Sequence, residues 1–301
     1  MNNEFKSGFA AIVGRPNVGK STLLNSIMGE KLAIITNKPQ TTRNIVRGIM
    51  TTADAQVVFV DTPGMHKAKD KLSENMVKMA ENSVRDGDVI LFVTAPAEKH
   101  DIHPGDVEIL QNLSKIKSKK FLVINKIDTI DKGRILPITQ AYNDECAFDA
   151  TFPISALKGE NLQLLKENIV AELPNGPQMF PSDMSTDVPD AFIIGELIRE
   201  KALYMLQEEI PHGIAVEVES LKKREDKEII DIQATIYCEK KSHKGMIIGK
   251  QGAMLKEIGT RSRRDIQRMY EEKINLQLWV KIKENWRDSD FFMRNFGFKT
   301  E

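Results

Sequence analysis

Apolar runs of strand length alternate with amphipathic stretches over the first half of the chain. The runs, which indicate buried strands, lie at residues 9–13, 44–50, 55–60, 89–93 and 120–124, and a further strand ends after Phe152. Apolar residues at helical spacing occur at residues 21–28 and 71–84. We therefore predict strands that alternate with helices in this half.

The second half has a different order of elements. The apolar pattern predicts a helix at residues 191–210, strands at 214–218, 230–238 and 274–282, and, before the last strand, a helix with Leu255, Ile258, Ile266 and Met269 inward. The charged segment 222–228 separates the first two strands and predicts that they pair antiparallel. Trp279 and Lys281 lie on the polar side of the last strand.

A proline-rich stretch separates the two halves. Residues 173–189 hold four prolines and one glycine, contain no Lys or Arg, and show no apolar periodicity. This composition is typical of a partly extended linker. Because a chain of 301 residues is long for one core, we predict domains at residues 1–173 and 191–301, joined by a linker at 174–190.

Composition and charge narrow the class of protein. With 41% hydrophobic and 29% charged residues, the chain has the composition of a soluble globular protein. The 43 basic and 43 acidic residues cancel, so a nucleic-acid contact would need a local basic patch. Cys146 and Cys238 show no disulfide or metal-ligand spacing, which favours a reduced, intracellular setting. Neither a signal peptide nor a spanning apolar run is found.

A glycine-containing loop lies where the first strand meets the first helix. Its spacing, Gly-x-x-x-x-Gly-Lys-Ser, fits a loop whose backbone N–H groups surround phosphates. We expect Lys20 to reach the outer phosphates and the Ser21 hydroxyl to bind Mg²⁺. The alternative, a turn that binds nothing, is disfavoured by the strand and helix on either side. The loop comprises Gly14, Arg15, Pro16, Asn17, Val18, Gly19, Lys20 and Ser21.

A polar segment at residues 37–43 lacks apolar periodicity and is expected to be an exposed loop. A threonine hydroxyl from such a loop can complete the Mg²⁺ shell only when a terminal phosphate is present, so the loop would sense that phosphate. Spacing does not separate Thr41 from Thr42. We favour Thr42 as the ligand and keep Thr41 as the alternative.

Asp61 and Gly64 follow the apolar run that ends at residue 60. The Asp61 carboxylate, at the end of a buried strand, is well placed to bind Mg²⁺. The Gly64 N–H can donate to a γ-phosphate. Met65 stands where many GTPases carry a glutamine that orients the attacking water, and its thioether is only a weak acceptor. The attacking water would then have to be oriented by a group other than this side chain.

Asn17 suggests one way in which hydrolysis could be organised. We hypothesise that its side-chain oxygen helps to hold K⁺ against the phosphates. The alternative is that Asn17 only stabilises its loop, and the sequence leaves this open.

Residues 125–128, Asn-Lys-Ile-Asp, indicate which base is bound. The Asp128 carboxylate can accept hydrogen bonds from both N1–H and the exocyclic amine of guanine, whereas adenine has no matching pair of donors. Asn125 can orient the loop, and the Lys126 stem can cover the base plane. Further on, Ser155 and Ala156 end a strand, and the Ala156 N–H could donate to guanine O6.

These motifs, in this order, resemble those of the translation-factor-related GTPases over residues from about 5 to about 173. The resemblance implies an α/β fold with a doubly wound, mostly parallel sheet. It also implies hydrolysis of GTP to GDP and phosphate with Mg²⁺, and Lys20, Thr42 and Gly64 at the reacting phosphate. The implied nucleotide contacts include Thr22, Thr62 and Pro63.

The turn Gly249-Lys-Gln-Gly252 marks a second candidate site. A Gly-x-x-Gly turn between two helices lets a nucleic-acid backbone approach closely. Between residues 240 and 268 nine Lys or Arg residues face two acidic ones, a local excess of seven positive charges. A solvated charged face is the alternative, and the attached turn disfavours it. The RNA contacts that we predict are Gly249, Lys250, Gln251, Gly252, Lys256, Arg261, Arg263 and Arg264, with Arg268 beside them.

The element order of this half resembles a smaller α+β domain, the type II KH domain, which binds about four nucleotides of single-stranded RNA. Both halves together, with residues 40–43, 247–250 and 278–281, resemble the Era family of bacterial GTPases. That resemblance implies a monomer that binds the 3′ end of 16S rRNA and acts in small ribosomal subunit assembly. It also implies a cytoplasmic location with peripheral membrane contact. Residues 186–189 are Thr-Asp-Val-Pro where the family commonly has Thr-Asp-Arg, so a contact from that arginine is in doubt.

Two other classes of function compete with this interpretation. A nucleotide-gated membrane or protein scaffold would favour a lipid-facing amphipathic helix, and no strong one is found. An ATP-dependent kinase conflicts with Asp128, which would be left unpaired by adenine.

Overall fold

The computed structural model describes residues 5–36, 38, 41–64, 70–97, 102–206, 213–225 and 228–296. These residues form two compact units. The first unit holds residues up to 33, 42–64 and 76–187, and the second holds the described residues of 34–41, residues 70–75 and those from 188 onward. The predicted bounds of 1–173, 174–190 and 191–301 stay a prediction.

The first unit is built on a mostly parallel sheet. Its strands are β1 (Lys6–Val13), β2 (Val46–Thr51), β3 (Ala55–Asp61), β4 (Val89–Thr94), β5 (Lys119–Ile124) and β6 (Ala150–Pro153). They lie in the order β2-β3-β1-β4-β5-β6, and only the pair β2–β3 is antiparallel. Every residue of β3 and β4 is buried, which explains their continuous apolar runs. The predicted strands and α/β class are confirmed.

The helices of this unit are α1 (Lys20–Met28), α2 (Lys71–Asp86, whose first residues count with the second unit), α3 (Pro104–Leu113), α4 (Ile135–Glu145) and α5 (Leu162–Glu172). The first two helices were predicted, whereas α4 and α5 were missed. Leu136 on α4 and Leu164 on α5 are 75% and 55% exposed. Each of these helices thus has apolar residues on both its buried and its exposed face, which hides the helical period of the apolar residues.

Residues 174–187 continue along the first unit. The Ser7 N–H donates to Pro174 O at 3.1 Å, and the Ile49 N–H donates to Ser185 O at 2.7 Å. Gln56 is fully buried, and its Oε1 accepts from the backbone N–H groups of Met179 and Phe180 at 2.8 and 2.9 Å. The stretch that the sequence indicates as a linker is therefore hydrogen-bonded to the first unit up to about residue 187.

The second unit is a three-stranded sheet covered by helices. Its elements are α6 (Asp190–Met205), β7 (Ala215–Lys223), β8 (Ile229–Cys238), α7 (Lys241–Ile248), α8 (Ala253–Tyr270), β9 (Lys273–Ile282) and α9 (Asp290–Asn295). β7 and β8 pair antiparallel, as predicted, and β9 pairs parallel with β8. The predicted order up to β9 is confirmed. The predicted helix to residue 210 is too long, because α6 ends at Met205 and Leu206 is extended. Residues 207–210 and part of the turn after β7 lie outside the described residues.

The chain after β9 packs back onto the second unit. Trp286 is fully buried, and its Nε1–H donates to Gly213 O at 3.0 Å. The Phe296 ring lies 4.5 Å from that of Tyr237 and 5.5 Å from that of Trp286. The aromatic tail therefore completes the core of this unit, although its residue types indicated no chemistry. Within the described residues no helix is long and apolar enough to cross a membrane.

We expect Trp286→Ala to destabilise the second unit by about 3–5 kcal/mol, because it empties a large buried site and leaves the Gly213 carbonyl without its donor. Both tryptophans of the chain lie in this unit, so the fluorescence of Trp279 reports its unfolding in urea. Phe291→Ala is the control, since Phe291 is 66% exposed and its loss should cost less than about 0.5 kcal/mol. Equal urea midpoints for the two variants would contradict the assignment.

Candidate functional site

The phosphate loop runs between β1 and α1, as predicted. Gly14 has a φ of 146°, and a Cβ there would lie 2.2 Å from Val93 O. Gly19 has a φ of 98°, and a Cβ there would lie 2.4 Å from Asn125 Nδ2. No side chain fits at either position. The loop therefore lies against the ends of β4 and β5, and Thr22 is in the first turn of α1.

Lys20 is almost fully buried and closes the loop on itself. Its Nζ donates to Gly14 O at 2.9 Å and to Arg15 O at 3.1 Å. Burial lowers the pKa of Lys20 to about 8, against the opposing attraction of Asp61. A phosphate at the loop would restore the charged form, because an anion nearby favours the ammonium.

Three side-chain oxygens meet beside the loop. Ser21 Oγ donates to Asp61 Oδ2 at 2.7 Å and lies 2.9 Å from Thr42 Oγ1. Asp61 is fully buried, its Oδ1 has no hydrogen-bond partner, and burial raises its pKa to about 6. Thr41 instead donates its hydroxyl to Lys38 O at 2.6 Å. The geometry thus favours Thr42 over Thr41, and hydroxyl and carboxylate oxygens with one unsatisfied buried atom fit Mg²⁺.

Residues Thr62, Pro63 and Gly64 follow β3 directly. The Thr62 hydroxyl donates to a carbonyl of β1 at 2.8 Å. A Cβ at Gly64 would lie 2.9–3.1 Å from three atoms of Pro16, so this stretch passes against the phosphate loop. Met65 lies outside the described residues, and its predicted consequence for hydrolysis stays a prediction.

Asn125 connects three of the predicted motifs. Its Nδ2 donates to Val18 O at 2.9 Å, and its Oδ1 accepts from the N–H groups of Lys126 at 2.8 Å and Ala156 at 2.9 Å. The N–H of Ala156 that we predicted for guanine O6 is thus used inside the protein in this structure. Asn125 acts here as the orienting residue that the sequence suggested.

Asp128 lies at the end of the same group of loops. The Ser155 hydroxyl donates to Asp128 Oδ1 at 2.7 Å, and Lys158 Nζ lies 3.9 Å from Oδ2. Lys126 has a φ of 63°, and its Nζ donates to Asn17 O at 2.8 Å. Lys158 was not predicted from the sequence, and its backbone N–H also donates to the Ser155 hydroxyl at 3.2 Å. Its position two residues after Ala156 was the available signal.

The Gly-x-x-Gly turn of the second unit joins α7 to α8. Gly249 and Gly252 have φ values of 72° and 79°, and a Cβ at Gly249 would lie 2.6 Å from that of Met254. Gln251 has a φ of 52°. Lys250 and Gln251 are exposed. The turn therefore presents backbone and two polar side chains at the surface, as a backbone-binding turn requires.

A groove of about 450 Å³ opens beside this turn and α8. Leucine side chains from α8 and β9 form its apolar part, and a Lys and an Arg provide its charge. Its lining residues are Gly252, Leu255, Lys256, Gly259, Thr260, Arg263, Leu276 and Leu278. Leu255 was predicted to face the core, and it also lines this groove.

The predicted basic residues divide into two groups. Lys256 and Arg263 line the groove. Arg261 donates to Glu257 at 2.7 Å, and Arg268 lies 3.7 Å from Asp265, so neither is among the groove residues. Arg264 is exposed on the same helix. The prediction that these arginines line one side of α8 and meet phosphates stays a prediction; two of them form ion pairs along the helix.

Comparison with known proteins decides the family. A family described as "50S ribosome-binding GTPase" matches residues 9–126, and one described as "KH domain" matches residues 209–287. GTPase Era of Clostridioides difficile (strain 630) is 52% identical over 98% of this chain and 99% of its own. GTPase Era of Caldanaerobacter subterraneus subsp. tengcongensis is 51% identical over 98% of both chains. The chain belongs to the Era family of GTPases.

Solved structures from the Era family have the same fold. A variant of Aquifex aeolicus Era bound to GDP·AlF4⁻ is 39% identical, with a TM-score of 0.93 over 98% of this chain and 100% of that one. The same values hold for Era in complex with MgGDPNP and nucleotides 1506–1542 of 16S ribosomal RNA. The resemblance to the Era family is confirmed, as is the pairing of a GTPase domain with a KH domain.

The lowered pKa of Lys20 predicts how nucleotide affinity depends on pH. Above pH 8 the free protein loses the Lys20 proton that phosphate binding requires, so we expect affinity for GDP to fall by about tenfold between pH 7.5 and pH 9. Fluorescence titration with a labelled GDP measures this. Lys20→Arg is the control, because arginine stays charged over this range and the titration of the nucleotide is common to both proteins. Identical pH profiles would contradict the assignment.

Proposed function

We propose that this protein is a Mg²⁺-dependent GTPase whose KH domain binds the 3′ end of 16S rRNA and that it acts as a switch in small ribosomal subunit assembly and rRNA maturation. One observation carries the proposal. An Era structure with a TM-score of 0.93 to this chain holds MgGDPNP and nucleotides 1506–1542 of 16S rRNA together. In this chain the phosphate loop would take the nucleotide and the groove beside the Gly-x-x-Gly turn would take the RNA.

The first unit supplies the nucleotide chemistry. Ser21, Thr42 and Asp61 would hold Mg²⁺, which neutralises charge on the phosphates when it is bound. The backbone N–H groups of the phosphate loop and the Lys20 ammonium bind the phosphates and stabilise developing charge. Gly64 would donate its N–H to the γ-phosphate. These roles rest on the convergence of the three oxygens and on the closeness of Gly64 to the loop.

Base selection rests on Asp128. Its carboxylate accepts two donors from guanine, and the Ser155 hydroxyl at 2.7 Å fixes its orientation. Adenine has no matching pair of donors, so Asp128 would lose both hydrogen bonds to the base at a partly buried site, which disfavours ATP. This argues against the ATP-dependent kinase. The possible K⁺ site at Asn17 stays a prediction.

The groove of the second unit supplies the RNA contact. Its leucines offer apolar surface to unstacked bases, while Lys256 and Arg263 offer charge to phosphates. Gly249, Lys250, Gln251 and Gly252 let the backbone of the strand approach α8. Cytoplasmic location, peripheral membrane contact and a monomeric state are further parts of the proposal that the Era resemblance alone supports.

We expect Arg263→Glu to weaken binding of an RNA with the 16S 3′-end sequence by at least tenfold in the presence of GDPNP, because a groove contact becomes repulsive. Arg268→Glu is the matched control. It changes the charge of the same helix equally, but Arg268 is not among the groove residues; because it pairs with Asp265 of the ion-pair chain described below, both variants are also compared with GDP bound. Fluorescence anisotropy measures both affinities, and GTP hydrolysis without RNA should be unchanged.

Equal losses in the two variants would indicate non-specific charge and contradict the groove assignment. Binding of the unmodified protein to 50S rather than 30S subunits would contradict the proposed place in small-subunit assembly. RNA affinity unchanged by Arg263→Glu would favour the scaffold alternative.

The switch part of the proposal rests on a segment next to Thr42. Residue Ile35 belongs to the second unit, where its N–H donates to Glu200 Oε1 at 3.0 Å and its carbonyl accepts from the Tyr204 hydroxyl at 2.9 Å. The fully buried Arg199 donates to Thr41 O, one residue before Thr42. Movement of Thr42 toward a γ-phosphate would therefore displace the Thr41 carbonyl, to which Arg199 of α6 is hydrogen-bonded.

An ion-pair chain continues from this segment to the RNA-binding helix. Lys201 Nζ lies 2.7 Å from Glu200 Oε2 and also pairs with Asp265 of α8. A second segment of the second unit, six residues after Gly64 along the chain, also takes part in ion pairs: Arg287 bridges Asp70 at 3.0 Å and Glu239 at 2.9 Å. Charged networks of this kind have discrete arrangements and so transmit a change of state.

We expect the unmodified protein to bind 16S 3′-end RNA more tightly with GDPNP than with GDP, by a factor within the usual range of about 5 to 150. Glu200→Gln should bring this ratio close to one, because it removes the charge between Ile35 and Lys201. Glu272→Gln is the control, since Glu272 pairs with Lys223 on the surface of the same unit. An unchanged ratio in Glu200→Gln would contradict the proposed route.

A further inference from the structure

Arg15 belongs to the phosphate loop, but its side chain is anchored elsewhere. Its Nη2 donates to Ala95 O at 2.8 Å, just beyond the end of β4, and its Nε lies 3.3 Å from Asp106 Oδ2 in α3. The Arg15 side chain is 17% exposed and the Asp106 side chain is fully buried. Two different nitrogens of one guanidinium thus connect the loop to two other elements.

Asp106 is itself held by two further donors. Thr94 Oγ1 donates to its Oδ2 at 2.8 Å, and the Tyr142 hydroxyl donates to the same oxygen at 2.7 Å. Tyr142 is 1% exposed, and the Thr94 and Tyr142 hydroxyls lie 2.8 Å apart. Burial and the nearby Asp106 raise the pKa of Tyr142 above its usual range, so it stays a donor.

A buried carboxylate with this set of donors is costly to build and does not stabilise a fold by itself. Removing two charges from water costs more than a single contact returns, unless the geometry is good and the remaining donors are satisfied. Replacement of a buried ion pair by apolar residues of similar volume is often neutral or stabilising. The arrangement is therefore better explained by what it does to Arg15 than by the stability of α3.

The position of Arg15 bears directly on Lys20. The Arg15 carbonyl accepts from Lys20 Nζ at 3.1 Å, as the Gly14 carbonyl does at 2.9 Å. Fixing the Arg15 side chain fixes the peptide that orients Lys20, and with it the direction of the loop N–H groups. A loop ordered before the ligand arrives loses less entropy on binding.

We propose that Asp106, Thr94 and Tyr142 are positioning residues for the phosphate loop and act on it through the Arg15 side chain. The proposal rests on the nucleotide-binding function proposed above. It assigns to Arg15 a role different from that of its loop neighbours, since the side chain contributes to nucleotide binding without contacting the nucleotide. The fork of the guanidinium is required, because a lysine has no two nitrogens to reach Ala95 O and Asp106 together.

The experiment compares Arg15→Ala, Arg15→Lys, Asp106→Asn, Tyr142→Phe and the double variant of Arg15→Ala with Asp106→Asn in the full-length chain. Dissociation constants for GDP and GDPNP are measured by fluorescence titration, and folding is checked by urea unfolding. Asp149→Asn is the control, because Asp149 forms an exposed ion pair with Lys119 in the same unit. Its nucleotide affinity should equal that of the unmodified protein.

We expect Arg15→Ala and Asp106→Asn each to weaken GDP binding by about tenfold, the loss that accompanies removal of a charged hydrogen-bond partner. The double variant should lose no more than the weaker-binding single variant, because both residues act as one unit. Arg15→Lys should not restore affinity, and Tyr142→Phe should lose less than Asp106→Asn.

Three results would overturn the proposal. They are GDP affinity within twofold of the unmodified protein for Arg15→Ala, additive losses in the double variant, and full affinity in Arg15→Lys. If Asp106→Asn fails to fold, Arg15→Ala and Arg15→Lys decide the outcome, because the Arg15 side chain is partly exposed and its loss leaves the core intact. Failure of the unmodified protein to bind GDP would instead count against the proposed function.

Discussion

The Asn125 side chain is the interaction on which the nucleotide site depends. Its amide group donates to the phosphate loop through Val18 O and accepts from the loop that carries Ala156. Asn125 itself stands at the end of β5, so one side chain connects loops that follow β1, β5 and β6. The close approach also explains Gly19, since any Cβ there would collide with the amide nitrogen. Replacing this amide would release three loops at once, whereas most side chains of the site serve one.

Burial sets the electrostatics of the site. Lys20 and Asp61 are both removed from water, and in both the pKa moves toward the neutral form, to about 8 and about 6. Each group attracts the other, but desolvation is the larger effect on both. A phosphate and a divalent cation bring charges opposite to these two groups, so the same burial that weakens the charges of the free protein strengthens their attraction to ligand.

The sequence was a good guide wherever a residue type has one chemical use at one spacing. The phosphate loop, the strand that ends at Asp61 and the Asn-Lys-x-Asp motif could be placed because each joins a buried apolar run to a polar end. The antiparallel pair β7–β8 could be placed from its alternation. The helices α4 and α5 could not, since the exposed Leu136 and Leu164 disturb their periodicity.

Other features could not be read from the sequence because they depend on pairs that are distant along the chain. Arg15 and Asp106 are 91 residues apart, and no spacing rule connects them. The ion pairs of Arg261 with Glu257 and of Arg268 with Asp265 join residues that are close along α8, but a count of charges over the segment does not say which charges pair.

The division of the chain has a consequence for work with fragments. Ile34 is only 4% exposed and belongs to the apolar core that α6, α8 and β8 form, although it precedes that core by more than 150 residues. A polypeptide that starts at residue 188 would lack this side chain and would leave an empty space in its own interior. A protein truncated before residue 188 therefore does not reproduce the native core of the C-terminal half.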